Sequence, residues 1–179
     1  MNLTFLIVVA AVLGLGSVVS VGLARRQRHT PKAALTELVP LDVEAFRNLT
    51  DPAEEDYLRR HLPPAEYRTV RRARLRAMAA YVHLASRNAA LLAQIGQAVA
   101  MQKDPERARA TRRMINDAFL LRRNATVALA RIYLALVLPG TGAALPRFQD
   151  QYMKVVASAM LFGRLQDPAS ASRFSLALQ

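Results

Sequence analysis

Apolar residues recur at three- and four-residue spacing through most of the chain, and the longest unbroken run of that pattern lies between Pro64 and Gln102. Tyr67, Val70, Ala77, Tyr81, Leu84, Leu91, Ile95 and Ala98 hold one face of a helix, and Met78, Ala85, Leu92 and Val99 beside them widen the stripe. Pro63 and Pro64 close off what precedes, since a proline in a first helical turn gives up no intrahelical bond. Two members of the same series are polar, Arg74 and Asn88. A helix with one apolar stripe is not stable alone in water, so the pattern predicts packing partners.

Met114, Ala118, Leu121, Ala125, Leu129, Ile132 and Leu136, with Ile115 and Phe119 alongside, supply the stripe of a second long helix. Asp104-Pro105 starts it, and Pro139-Gly140 ends it after about Leu138. The short link between the two long helices predicts an antiparallel hairpin. In that hairpin Arg87 and Asn88 come level with Asn116 to Phe119, and Asp117 is the expected partner of Arg87. The stretch from Thr126 to Leu138 is apolar almost all round, carries Arg131, is too short to span a bilayer and reads as a buried core segment. A third long helix is predicted from about Pro146 to Leu165, with Phe148, Tyr152, Val155, Val156, Ala159 and Phe162 on one face.

Two short helices precede the hairpin. Asp42 caps one that carries Val43, Phe46 and Leu49. The other runs from Pro52 to His61 behind Asp51-Pro52-Ala53-Glu54, a capping-box pattern, with Tyr57 and Leu58 facing inward. Its first turn holds Glu54, Glu55 and Asp56, where carboxylates complement the helix dipole. Arg74, a cation in an apolar seam, is expected to pair with one of these three acids, because Pro63-Pro64 folds the short helix back toward it. The fold class is therefore all-α: three main helices in an antiparallel bundle with one or two short ones.

The chain opens differently. Residues 2–24 contain no charged side chain, a length sufficient to cross a hydrocarbon core of about 30 Å. Arg25, Arg26 and Arg28 follow at once, and this juxtamembrane cluster places the N-terminus outside and the bundle in the cytoplasm. Gly16, Ser20 and Ala24 lie on one face of the span, where small residues let membrane helices touch. The competing reading is a signal peptide cleaved near Ala24; the absence of an early cation and the length of the apolar run count against it. The organisation that results is an anchor at 1–24, a basic tether at 25–41, a bundle at 42–166 and a flexible tail at 167–179, in a bacterial-type inner membrane.

Composition sharpens the partner question. A net charge of +12 comes from 22 Arg and 3 Lys against 13 acids, and Cys is absent, which removes disulfides, thiolate metal sites and cysteine nucleophiles. His29, His61 and His83 stand apart from one another in sequence, and the one Gly-Thr-Gly stretch lacks the strand and lysine of a phosphate loop. No cofactor, metal set or catalytic constellation is nominated. Arginine is concentrated at the start of the central helix, where Arg68, Arg72 and Arg76 share a face and Arg71 lies near. Cations there oppose the helix dipole, so a solvated face is a weaker explanation than usual. The first functional expectation is a non-enzymatic, membrane-tethered helical scaffold or interaction module, with the bilayer as one partner and a homo-oligomer or a second protein as another. The alternative is a peripheral binder of anionic lipid headgroups through Arg68, Arg71, Arg72 and Arg76; nucleic acid is disfavoured because no aromatic-interleaved basic patch accompanies them.

Overall fold

The computed structural model describes residues 37–100, 104–138 and 148–166. The chain divides after Thr30, and all described residues belong to the second part. The span at 1–24, its Gly16, Ser20 and Ala24 face, the cluster of Arg25, Arg26 and Arg28, and the tail at 167–179 lie outside the described residues. Within them there are five helices and no strand: α1 Val43–Thr50, α2 Pro52–His61, α3 Pro64–Ala98, α4 Pro105–Val137 and α5 Phe148–Gln166. None of these is long and apolar enough to cross a membrane.

Aspartates start three of them as the sequence predicts. Asp42 Oδ1 accepts from the Ala45 amide, Asp51 Oδ1 from Ala53 and Asp104 Oδ1 from Glu106, each within 3.0 Å. Only the capping box fails, because Glu54 turns away from the α2 terminus toward α3.

α3 and α4 make the largest helix contact, α4 also packs along α5, and α3 and α5 touch little. The hairpin is antiparallel: Gly96 sits against Met114 and Ile115, His83 meets Tyr133, and Arg71 reaches Ala135. A Cβ at Gly96 would come 2.6 Å from Ile115 Cγ1, so glycine is what permits this approach of the two backbones. α1 plugs the gap between α3 and α5. Phe46 is buried with its ring centroid 5.5 Å from that of Tyr81 and 5.8 Å from that of Phe148.

Three corrections concern packing. Leu91 and Ile95 of the predicted stripe and Met78, Ala85 and Leu92 beside it are buried, but the buried face of α3 extends further round the helix than expected, through Leu75, Ala79, Val82, Ala89, Ala93 and Gly96. α3 is covered from two sides: Tyr81 of the predicted stripe meets Phe46 of α1, and Asn88 meets the segment before α1. Asn88 accordingly does not meet Asn116 to Phe119. It clamps the Val39 backbone, with Nδ2 donating to the carbonyl at 2.7 Å and Oδ1 accepting from the amide at 3.2 Å. This holds Leu38 and Leu41, read from the sequence as tether, in the core. Finally, Arg87 pairs with Glu37 at 3.6 Å, and Asp117 accepts from Ser158 of α5.

Candidate functional site

The first half of α3 carries five arginines, and the structure gives them two fates. Arg74 points inward with 11% of its side chain exposed. Its Nη1 lies 3.1 Å from Glu54 Oε2 and its Nε 3.6 Å from Glu55 Oε2, while Nη2 donates to the carbonyls of Asn48 and Leu49 at 3.2 Å. The expected pairing with the acids of α2 is therefore present for Glu54 and Glu55. Asp56 pairs instead with Arg59 on its own helix. A guanidinium held by two carboxylates and two helix-end carbonyls has its donors largely spent, which is what makes a nearly buried cation tolerable.

Arg71 belongs to the same network and not to an exposed face. Its Nε lies 3.5 Å from Glu55 Oε1, and its Nη1 donates to the Ala135 carbonyl of α4 at 3.4 Å. Tyr67 completes the junction by donating to Glu55 Oε1 at 2.6 Å. Burial, then the Glu55 hydrogen bond and charge, raise the pKa of Tyr67 above the usual 10.0. α2 itself contributes no buried residue, and Tyr57, expected to face inward, is exposed and stacks on His61 at 4.1 Å. The polar network at Glu54 and Glu55 is thus the principal attachment of α2 to α3.

Arg68, Arg72 and Arg76 lie on the opposite side of the same turns, exposed, and no ion pair involves them among the described residues. After Glu66, α3 has no acid. After Glu106, α4 has only Asp117, which is engaged with Ser158. Past Glu66 on α3 and past Glu106 on α4, the outer face of the hairpin therefore carries no carboxylate.

The end of α4 that adjoins these arginines is the main departure from the sequence reading. Ala128, Ile132 and Ala135 are buried, but Val127, Tyr133, Leu134, Val137 and Leu138 are not, and Val137 is 72% exposed. The stretch read as core is buried on one face only, since α3 and α5 flank α4 and nothing among the described residues covers its outward side. Its all-round hydrophobicity hid the direction of burial, which periodicity could not show. The spacing of Leu120, Val127, Ala130, Leu134 and Val137 on the outward side is the signal that could have revealed it.

These two features share one face. His83 Nε2 lies 3.1 Å from the Tyr133 hydroxyl across the outside of the hairpin. From that clasp, Val137 is one turn further along α4, while Arg76 is two turns back along α3, with Arg72 and Arg68 each a further turn beyond it. Because the helices are antiparallel, both series run to the same end.

Among the described residues no group of three His, Asp or Glu could hold a metal ion. An open groove of about 790 Å³ between the 40–44 segment and α5 is lined by Leu41, Val43, Met153, Val156 and Met160. Of its two carboxylates, Asp42 caps α1 and Glu44 lies 4.0 Å from Arg47. Tyr152 is buried, and its hydroxyl has no hydrogen-bond partner among the described residues. Burial raises its pKa, with the nearby Asn88 amide opposing. No family model matches the chain, and neither a curated protein nor a solved structure is similar to it.

Proposed function

We propose that this chain is a membrane-tethered helical interaction module without catalytic chemistry of its own. The uncharged stretch at 2–24 is its anchor, Arg25, Arg26 and Arg28 keep the following residues on the cytoplasmic side, and the bundle presents a surface to a partner. One observation carries the reading. Buried Asn88 and the partly buried Arg74 and Asp117 are used to hold the bundle together, whereas the exposed apolar end of α4 and the unpaired arginines of α3 are left over on one face. Exposed apolar side chains grouped beside like charges are the mark of an interaction surface.

Alkaline extraction of membranes from cells producing the full-length chain tests the anchor. The protein is expected in the pellet, and deletion of residues 2–24 is expected to release the bundle in folded form. A reporter fused after Gln179 is expected to be active only in the cytoplasm. Full-length protein released by alkali, or periplasmic reporter activity, contradicts the reading.

A further inference from the structure

We infer that the outer face at the α3 start and α4 end is a docking surface for an anionic lipid bilayer, with Val137 and Leu134 entering the headgroup boundary and Arg68, Arg72 and Arg76 on lipid phosphates. The inference rests on the tethered reading above and deepens it by naming what the leftover face meets. Three observations select lipid from among the possible occupants.

The first is charge. Three exposed arginines recur at one-turn spacing, with no carboxylate after Glu66 on α3 to neutralise them. A cation near an anionic leaflet contributes about 1 kcal/mol, roughly fivefold in occupancy, so three act together at roughly a hundredfold. The second is the apolar component. Val137 is 72% exposed, and Tyr133 and Leu134 are 49% and 39% exposed. A nucleic acid would satisfy the arginines but leave these side chains in water. A bilayer interface takes both, apolar tips below the phosphates and guanidinium groups among them. The third is placement. The His83–Tyr133 clasp fixes the two helices side by side on this face, so that Val137 and the arginine row lie beyond it toward the same end of the hairpin, with the Tyr133 ring bordering them as amphipathic aromatic rings border bilayer interfaces.

The arginine row excludes Arg71, and this distinguishes the inference from one based on sequence clustering. Arg71 is already bound to Glu55 and the Ala135 carbonyl. Neutralising it acts on the attachment of α2, not on lipid.

The test uses the full-length chain in proteoliposomes. The sequence has no cysteine, so Val137→Cys takes a single environment-sensitive fluorophore, and Gln97→Cys at the far end of α3 serves as the exposed control. Vesicles are neutral phosphatidylcholine, or the same with about a third phosphatidylglycerol. On anionic vesicles the label at 137 is expected to shift to the blue and to be quenched by lipid-borne nitroxide, while the label at 97 does neither. Arg68→Gln, Arg72→Gln and Arg76→Gln together are expected to lower the docked-to-free ratio roughly a hundredfold and to abolish the difference between the two lipids. Val137 and the three arginines are exposed, so these changes leave folding intact, which circular dichroism of the same samples verifies.

A silent label at 137 on protein that floats with the vesicles overturns the inference and leaves the tether standing. Protein that fails to float with either vesicle overturns both. An equal blue shift on neutral lipid removes the anionic requirement and so contradicts the proposal. A shift that follows protein density at fixed lipid composition identifies a second copy as the occupant and contradicts it as well.

Discussion

The two halves of α3 are held by different forces. From Met78 to Gly96 the helix is buried by Met78, Ala79, Val82, Ala85, Ala89, Leu91, Leu92, Ala93 and Ile95, and its glycine lets α4 come close. From Pro64 to Arg76 it buries Leu75 alone and is attached by Glu54, Glu55, Tyr67, Arg71 and Arg74. Close packing is insensitive to salt and intolerant of volume change, while ion pairs partly open to water tolerate volume change and respond to salt. The half held by charge is also the half that carries surplus charge outward. A helix start can therefore serve the fold on one side and a partner on the other with the same residue type.

Substitutions that separate packing from charge test this contrast. Leu92 is fully buried, and Leu92→Ala is expected to cost about 2–5 kcal/mol in the unfolding free energy, with no dependence on salt. A cost under about 1 kcal/mol would show that the packed half is not tightly packed. Gly96→Ala meets Ile115 Cγ1, which is not the free end of its side chain, and is expected to cost about 1–3 kcal/mol. Glu54→Gln with Glu55→Gln leaves Arg74 nearly buried without a counter-ion. Because these carboxylates are 45% and 34% exposed, the expected loss is about 1–2 kcal/mol, less than for a fully enclosed pair, and it shrinks in high salt. Arg74→Met replaces the cation by an apolar side chain of similar reach and is expected to cost less than removing the two acids. The reverse order would show that Arg74 is not held mainly by Glu54 and Glu55.

A smaller effect appears at high pH. The folded state raises the pKa of Tyr67 above its unfolded value of 10.0, so the neutral phenol is favoured in the bundle. Its contribution is fully present below pH 10, is lost as pH rises from there through the folded pKa, and is abolished by Tyr67→Phe. Unfolding midpoints measured across that range check it, and a loss of the same size in Tyr67→Phe would assign the pH dependence to other groups.

How much of this was legible depended on whether a position broke its local pattern. Arg74 interrupts an apolar series, and the densest acids of the chain lie just across Pro63-Pro64, so its pairing followed from sequence. Asn88 interrupts the same series and was equally visible as an exception, but its partner is the Val39 backbone, which no side-chain pattern identifies. The Arg87–Asp117 pairing failed for a related reason. Counting back from the turn sets Arg87 opposite Asp117, whereas the Gly96–Ile115 and His83–Tyr133 contacts bring it level with residues further along α4, and both groups have other partners, Glu37 and Ser158. The exposed end of α4 is not legible in the sequence, because a stretch apolar on every side carries no direction.

The contrast between the inward and outward arginines is tested most directly by thermal unfolding of the full-length chain in detergent micelles, comparing two variants with the parent. Arg68→Gln, Arg72→Gln and Arg76→Gln together are expected to leave the midpoint within the equivalent of about 0.5 kcal/mol, the range of surface substitutions. Glu54→Gln with Glu55→Gln is expected to lower it clearly. If the arginine triple variant unfolds as early as the glutamate variant, the outward row serves the fold, and it is not held in reserve for a membrane.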